Sequence, residues 1–203
     1  DPVASLGRLA RHVLDQLEPT VVALTGSQGK TGTKDYLAQL LAVGGATVAT
    51  AGNRNNEIGV PLTVLRAVPD TRYLAVEMGA RGVGHIAELC SVAPPRVAAV
   101  LNVGTAHIGE FGGREQIAQA KGELVKSLPS SDEGGTAVLN ADDPLVRAMA
   151  SRTKAKVVLF GEADEADVRA ENVRLTDTGQ PAFRRGHWRL AGTLGQHRHA
   201  RLI

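Results

Sequence analysis

Cysteine occurs once in 203 residues, at Cys90, so an internal disulfide and any cysteine-rich zinc site are excluded, and a reducing compartment suits the chain. Aromatic side chains amount to only 3%. No apolar run approaches the roughly 20 residues of a membrane-spanning helix, and no basic start followed by an apolar stretch marks a signal peptide. Cytoplasm is the expected location. Neither sign of charge dominates, with 23 Lys and Arg against 21 Asp and Glu. What remains, 43% hydrophobic and 22% charged residues, is the composition of a soluble globular protein. A chain of this length buries roughly 70% of its unfolded surface in one core without metal or disulfide staples. A monomer is expected, and the first residue, Asp1, fits a piece of a longer chain.

The near-neutral total hides a basic end. Residues 184–203 hold Arg184, Arg185, Arg189, Arg198 and Arg201 with no Asp or Glu. Such a block attracts phosphate backbones, but Trp188 is its one aromatic residue. A nucleic-acid partner is therefore not expected.

Short apolar runs recur at Val21–Leu24, Thr47–Ala51, Leu74–Val76, Val97–Leu101, Ala137–Leu139 and Val157–Phe160. Each pair is separated by enough residues for a crossover helix, which predicts an α/β fold with a mainly parallel sheet flanked by helices. Helical stripes lie between them: Tyr36, Leu37, Leu40 and Leu41; Ile86, Leu89 and Cys90; and Ile117, Lys121, Leu124, Val125 and Leu128. Such stripes face a core. After Phe160 the runs shorten to Val168–Leu175, Pro181–Phe183 and Trp188–Ala191, with turn signals at Asp177–Gly179 and Gly186. A small antiparallel meander is expected there, and the acidic stretch Glu162–Asp167 reads as a surface loop.

Strand Val21–Leu24 runs straight into Thr25-Gly26-Ser27-Gln28-Gly29-Lys30-Thr31-Gly32-Thr33 and then into a helix. Backbone N–H groups of such a turn, with the positive end of the helix, surround phosphate oxygens; Lys30 reaches the β and γ phosphates and Thr31 offers its hydroxyl to Mg²⁺. This P-loop is a variant, because Leu24 stands where the full pattern has glycine. No Asn-Lys-x-Asp sequence follows, which favours ATP over GTP.

Ligands of open parallel sheets sit beyond the carboxyl ends of the strands, and several polar groups fall there. Glu77 directly follows the third run and can hold Mg²⁺. Asn102 and His107 follow the fourth, the histidine reading equally as a loop residue. Lys121 occupies an interior position of its helix, where an unpaired ammonium is costly and its pKa falls. Either its head reaches solvent or a carboxylate such as Glu123, or it is held neutral and chemically altered beside the nucleotide. Asn140-Ala141-Asp142-Asp143-Pro144 offers partners for adenine or ribose, or simply a helix cap. The loop Gly52-Asn53-Arg54-Asn55-Asn56-Glu57 forms either a surface loop or the wall of a polar-substrate site.

Six ordered segments together resemble the Mur ligase family, ATP-dependent amide-forming enzymes of peptidoglycan synthesis. They are Thr25–Thr31 with Thr33-Lys34, Asn53–Leu62, Glu77–Ala80, Asn102–His107, Ala120–Glu123 and Leu139–Asp143. The resemblance implies a central ATP-binding domain over residues 20–203, with 160–203 its small β part and residues 1–19 leading in from a preceding domain. It implies UDP-N-acetylmuramoyl-tripeptide and D-alanyl-D-alanine as substrates, joined through an acyl phosphate. Gly26, Ser27, Gln28, Gly29, Lys30, Thr31 and Gly32 bind the nucleotide on this reading, and Asn140 reads the adenine. Thr31, Glu77, His107 and Lys121 hold two Mg²⁺ ions, Lys121 as a carbamate, with Lys30, His107 and Lys121 catalytic. Asn53, Asn55 and Asn56 belong to the acceptor site. Gly195-Gln196-His197 resembles a further family segment but departs from it at Arg198. Alternatives are a ligase of the folylpolyglutamate or cyanophycin synthetase type, and an ATP-binding fragment without turnover.

Overall fold

The computed structural model describes residues 1–104 and 112–174 in full, and 175 and 181–188 by their backbone. Helix α1 (Pro2–Leu17) opens the chain, followed by β1 (Thr20–Thr25), α2 (Lys30–Gly44), β2 (Thr47–Ala49), α3 (Gly59–Val64), β3 (Tyr73–Glu77) and α4 (His85–Val92). Then come β4 (Val97–Val100), α5 (Arg114–Lys126), β5 (Thr136–Asn140), the single-turn α6 (Pro144–Arg147), β6 (Lys156–Gly161), β7 (Val168–Leu175) and β8 (Pro181–Trp188). All six apolar runs expected as strands are strands. No described helix is long and apolar enough to cross a membrane.

The strands form one sheet in the order β2-β3-β1-β4-β5-β6-β7-β8. Pairing is parallel from β2 through β7 and antiparallel between β7 and β8. From β1 the chain adds β2 and β3 on one side, then crosses to add β4 on the other. Such a reversal opens a crevice at the carboxyl end of β1. β6 and β7 are paired over only two residues, Phe160 to Val168 and Gly161 to Arg169. The six-residue link between them is too short for a regular parallel crossover. One expectation fails here: Gly186 lies inside the continuous strand β8 and is not a turn. Residues 177–179 and 189–191, on which the rest of the expected meander depends, lie outside the described residues.

Right-handed crossovers place α2 on one face of the sheet and α3, α4 and α5 on the other. On that second face Ile86, Leu89, Ile117, Leu124 and Val125 meet Leu74, Val76, Val100 and Leu139, all nearly or fully buried. Each such aliphatic side chain contributes roughly 1.5–3 kcal/mol. α1 joins the same layer through Gly7, Ala10 and Leu14, with Leu17 packed against it. Leu9 is exposed.

The α2 stripe is corrected by the structure. Leu37 and Leu41 are half-buried, but Tyr36 is 72% and Leu40 60% exposed, with Val43 at 89%. Periodicity identifies an apolar stripe without saying which part of it another element covers. The innermost residue of α2 is instead Lys34.

Candidate active site

The turn between β1 and α2 is held open by backbone geometry. Gly29 has φ 76° and precedes α2 without any side-chain cap, so the first N–H groups of the helix remain for an outside acceptor. Gly26 is confined by Leu101, just past β4: a Cβ there would lie 3.0 Å from Leu101 Cβ. Asn102 clamps the turn, its Oδ1 accepting from Ser27 N and Gln28 N at 2.9 Å each while its Nδ2 donates to the Gln28 carbonyl. Ser27 Oγ in turn accepts from Gly104 N. The Lys30 ammonium folds back to donate to the Gly26 carbonyl at 2.9 Å. A side chain so placed already lies over the turn that would cradle a phosphate.

Glu77, 1% exposed at the end of β3, is the neighbouring hub. Its Oε2 accepts from Thr31 Oγ1 at 3.0 Å and its Oε1 from Asn55 Nδ2 at 2.6 Å, while Thr50 Oγ1 accepts from its backbone N–H. Gly79 permits this packing, since a Cβ would fall 2.5 Å from Asn55 Oδ1. One carboxylate therefore ties the phosphate turn to the loop carrying the asparagines.

Lys121, 6% exposed on α5, lines the same cavity as Gly26, Ser27 and Lys30. Burial, and secondarily the positive charge of Lys30, pull its pKa from 10.5 down to about 8. Among the described residues its ammonium has no hydrogen-bond partner. The alternative pairing with Glu123 does not form: that carboxylate accepts from Gly84 N and Ala87 N at the start of α4.

The cavity, about 410 Å³, is also lined by Asn53, Arg54, Asn55, Asn56, Glu57, Gly79, Ala80, Arg81 and His85. Asn55 and Asn56 also have structural duties, the first at Glu77 and the second accepting from Gly59 N to start α3. Asn140 stands farther along the strand ends. Its amide donates to the Leu101 carbonyl and accepts from Asp142 N, leaving one N–H and one lone pair for a ligand. Asp143 caps α6 and accepts from Val103 N, and Asp142 accepts from Glu162 N and Ala163 N. His107 lies outside the described residues.

Sequence reasoning missed Lys34 as a support of this site. Its ammonium, 2% exposed as a residue, donates to the carbonyls of Thr50 and Gly52 and pairs with Asp35. The signal available was a lysine on the inner line of an otherwise apolar helix, the same signal that singled out Lys121. Replacing Lys34 with methionine leaves two carbonyls without this donor and should cost about 2 kcal/mol, read as a lower urea midpoint. Unchanged stability would mean that the 50–52 segment is held by other contacts.

A parallel sheet with a glycine turn, a lysine folded over it and a carboxylate at the next strand end defines a P-loop α/β domain. Sequence comparison then gives the family. The Mur ligase middle domain matches residues 24–194, and the chain belongs to the Mur ligase family. It is 50% identical over 184 residues to the UDP-N-acetylmuramoyl-tripeptide--D-alanyl-D-alanine ligase of Mycobacterium tuberculosis, a match covering 89% of this chain and 36% of that protein. MurF from Acinetobacter baumannii superposes with TM-score 0.80 at 33% identity, over 93% of this chain and 43% of that one. MurF from Thermotoga maritima, determined in complex with ADP, gives TM-score 0.78 at 38% identity, over 87% and 40%. The chain spans a little over a third of the length of the curated relatives it matches.

Proposed function

We propose that this chain is the ATP-binding central part of a ligase that adds D-alanyl-D-alanine to UDP-N-acetylmuramoyl-tripeptide, with residues 1–19 leading in from a preceding domain. The observation that carries the reading is that the phosphate turn and Lys121 line one cavity, with Glu77 tied to that turn through Thr31 and to the cavity wall through Asn55. A carboxylate does not yield to an amine until one of its oxygens becomes a good leaving group. On this reading the tripeptide's terminal carboxylate attacks the γ phosphorus of ATP and ADP departs. The amine of D-alanyl-D-alanine then attacks the acyl carbon, expelling phosphate and losing a proton.

Lys30 and the N–H groups at the start of α2 would bind the phosphates, with Asn140 at the adenine and Asn53, Asn55 and Asn56 at the acceptor. The Thr31 hydroxyl and the Glu77 carboxylate, 3.0 Å apart, are the hard oxygen donors Mg²⁺ takes, and His107 would assist. The ion, when bound, offsets charge on the transferred phosphoryl oxygens. Lys121 suits carbamylation because only a neutral amine attacks CO₂. A pKa of about 8 raises the neutral fraction at pH 7 on the order of 300-fold over an ordinary lysine. Two ions, the second facing the carbamate, complete the proposal.

The second reading is a nucleotide-binding fragment without turnover. One experiment separates the two: binding of ATP with Mg²⁺, and phosphate release with ATP, UDP-N-acetylmuramoyl-tripeptide and D-alanyl-D-alanine, omitting each in turn. Release that needs all three supports the ligase. ATP binding without release leaves the fragment, and no ATP binding overturns both.

A further inference from the structure

Thr25, the last residue of β1, is 0% exposed, and its Oγ1 is the one buried side-chain oxygen or nitrogen without a hydrogen-bond partner among the described residues. An unpaired buried hydroxyl costs stability, so its presence calls for a cause. Side chains alternate faces along a strand. Val21 and Ala23 belong to the core that α4 and α5 cover, while Val22 and Leu24 do not, which puts Thr25 on the α5 side of the sheet. Its neighbours there are Val100, its pairing partner in β4, and Met78, next after the Leu24 to Glu77 pair. Both are fully buried and apolar. α5 packs over β1, and its inner residues Ile117 and Lys121 line the cavity together with Gly26, the residue after Thr25. A hydroxyl and an amine, both buried and both unpaired among the described residues, thus share one face and one end of the sheet.

Building on the ligase reading above, in which Lys121 is carbamylated, we infer that Thr25 is the positioning residue of that modification, its hydroxyl donating to a carbamate oxygen. In carbamylation the lone pair of the neutral Lys121 amine forms a bond to the carbon of CO₂. One C=O π pair moves onto oxygen, and the nitrogen releases a proton to solvent. The product is an anion with two oxygens and one N–H, replacing a cation that has only donors. The unmodified ammonium makes no bond to Thr25, whereas the longer, anionic side chain presents acceptors. A hydroxyl donating to an anion forms the stronger, charge-assisted kind of hydrogen bond. One carbamate oxygen is then held at the sheet, and the other is left for a cation.

The test follows Lys121 itself. The chain is equilibrated with ¹³C-bicarbonate and Mg²⁺ in sealed tubes at pH 8, and the carbamate is read as a ¹³C NMR signal that Lys121→Ala lacks. Thr25→Val keeps the β-branched shape suited to a strand and exchanges the hydroxyl for a methyl. In it, half-maximal signal should need roughly tenfold more bicarbonate, one charge-assisted hydrogen bond's worth. Thr25→Ser keeps the hydroxyl and should stay within about twofold of the parent. The melting temperature of Thr25→Val in CO₂-free buffer should not fall, because no hydrogen bond is lost there; if it falls, Thr25→Ala is read in its place by the same criteria. No signal in the unaltered chain, or one that survives in Lys121→Ala, overturns the carbamate on which this inference rests. A signal in Thr25→Val with the parent's bicarbonate dependence overturns this inference alone. So does an equal loss in Thr25→Ser, which would assign the effect to packing.

Discussion

Lys30→Ala should weaken binding of an ATP analogue by about 100-fold, because a charge-assisted contact to phosphate is worth up to about 3 kcal/mol. Lys30 Nζ spends only one bond on the protein, to the Gly26 carbonyl, and the residue is half-exposed. The melting temperature of the variant should therefore stay close to that of the parent, so that lost affinity is not lost fold. Calorimetric titration alongside a thermal melt checks both. Affinity within threefold of the parent would remove the turn from the nucleotide site.

The second large effect carries opposite signs for stability and chemistry. Lys121 has a pKa of about 8 in the folded chain against 10.5 ordinarily, burial being the main cause. Between those values the unfolded chain binds more protons than the folded one, so stability rises as pH climbs through the window. Below pH 8 the whole penalty is present, about 3 kcal/mol. Lys121→Met keeps the stem and removes the charge. In CO₂-free buffer at pH 7 it should be more stable than the parent by up to that amount, with the gap closing above pH 8 and gone beyond 10.5. Urea midpoints across pH 6.5–10.5 measure it. Any phosphate release should be lost in the same variant, and small carboxylic acids should partly restore it to Lys121→Ala. A methionine variant no more stable than the parent at pH 7 would show that the ammonium is not desolvated.

Much of the architecture was legible because its signals are local. Strands β1 and β3 are buried runs and β4 to β6 short apolar ones, and Glu77 and Lys30 follow directly from strand ends and a glycine turn. The interior placement of Lys121 could be read from Ile117, Leu124 and Val125 around it. Partner choice was less legible. Nothing in the spacing distinguishes Leu37 and Leu41, which are half-buried, from Tyr36 and Leu40, which are exposed. Glu123 was read as a candidate partner for Lys121, yet the helix start at Gly84 and Ala87 takes its oxygens. Such contacts span about 40 residues of chain, beyond the reach of periodicity. Gly186 shows the converse: a glycine read as a turn lies within β8, at an irregularity in its pairing with β7. The hold of Lys34 on Thr50 and Gly52 depends on where β2 ends, which the apolar run placed two residues late.

Helix α2 starts on an uncapped glycine and buries only Lys34 fully. It runs fifteen residues from the phosphate turn to Val43 and Gly44, roughly 20 Å. An anion seated on its first turn would supply the missing acceptors at an end of the helix that has no side-chain cap. Filling the turn and steadying the Tyr36–Leu40–Val43 ridge thus become a single mechanical event, felt far from the phosphates themselves.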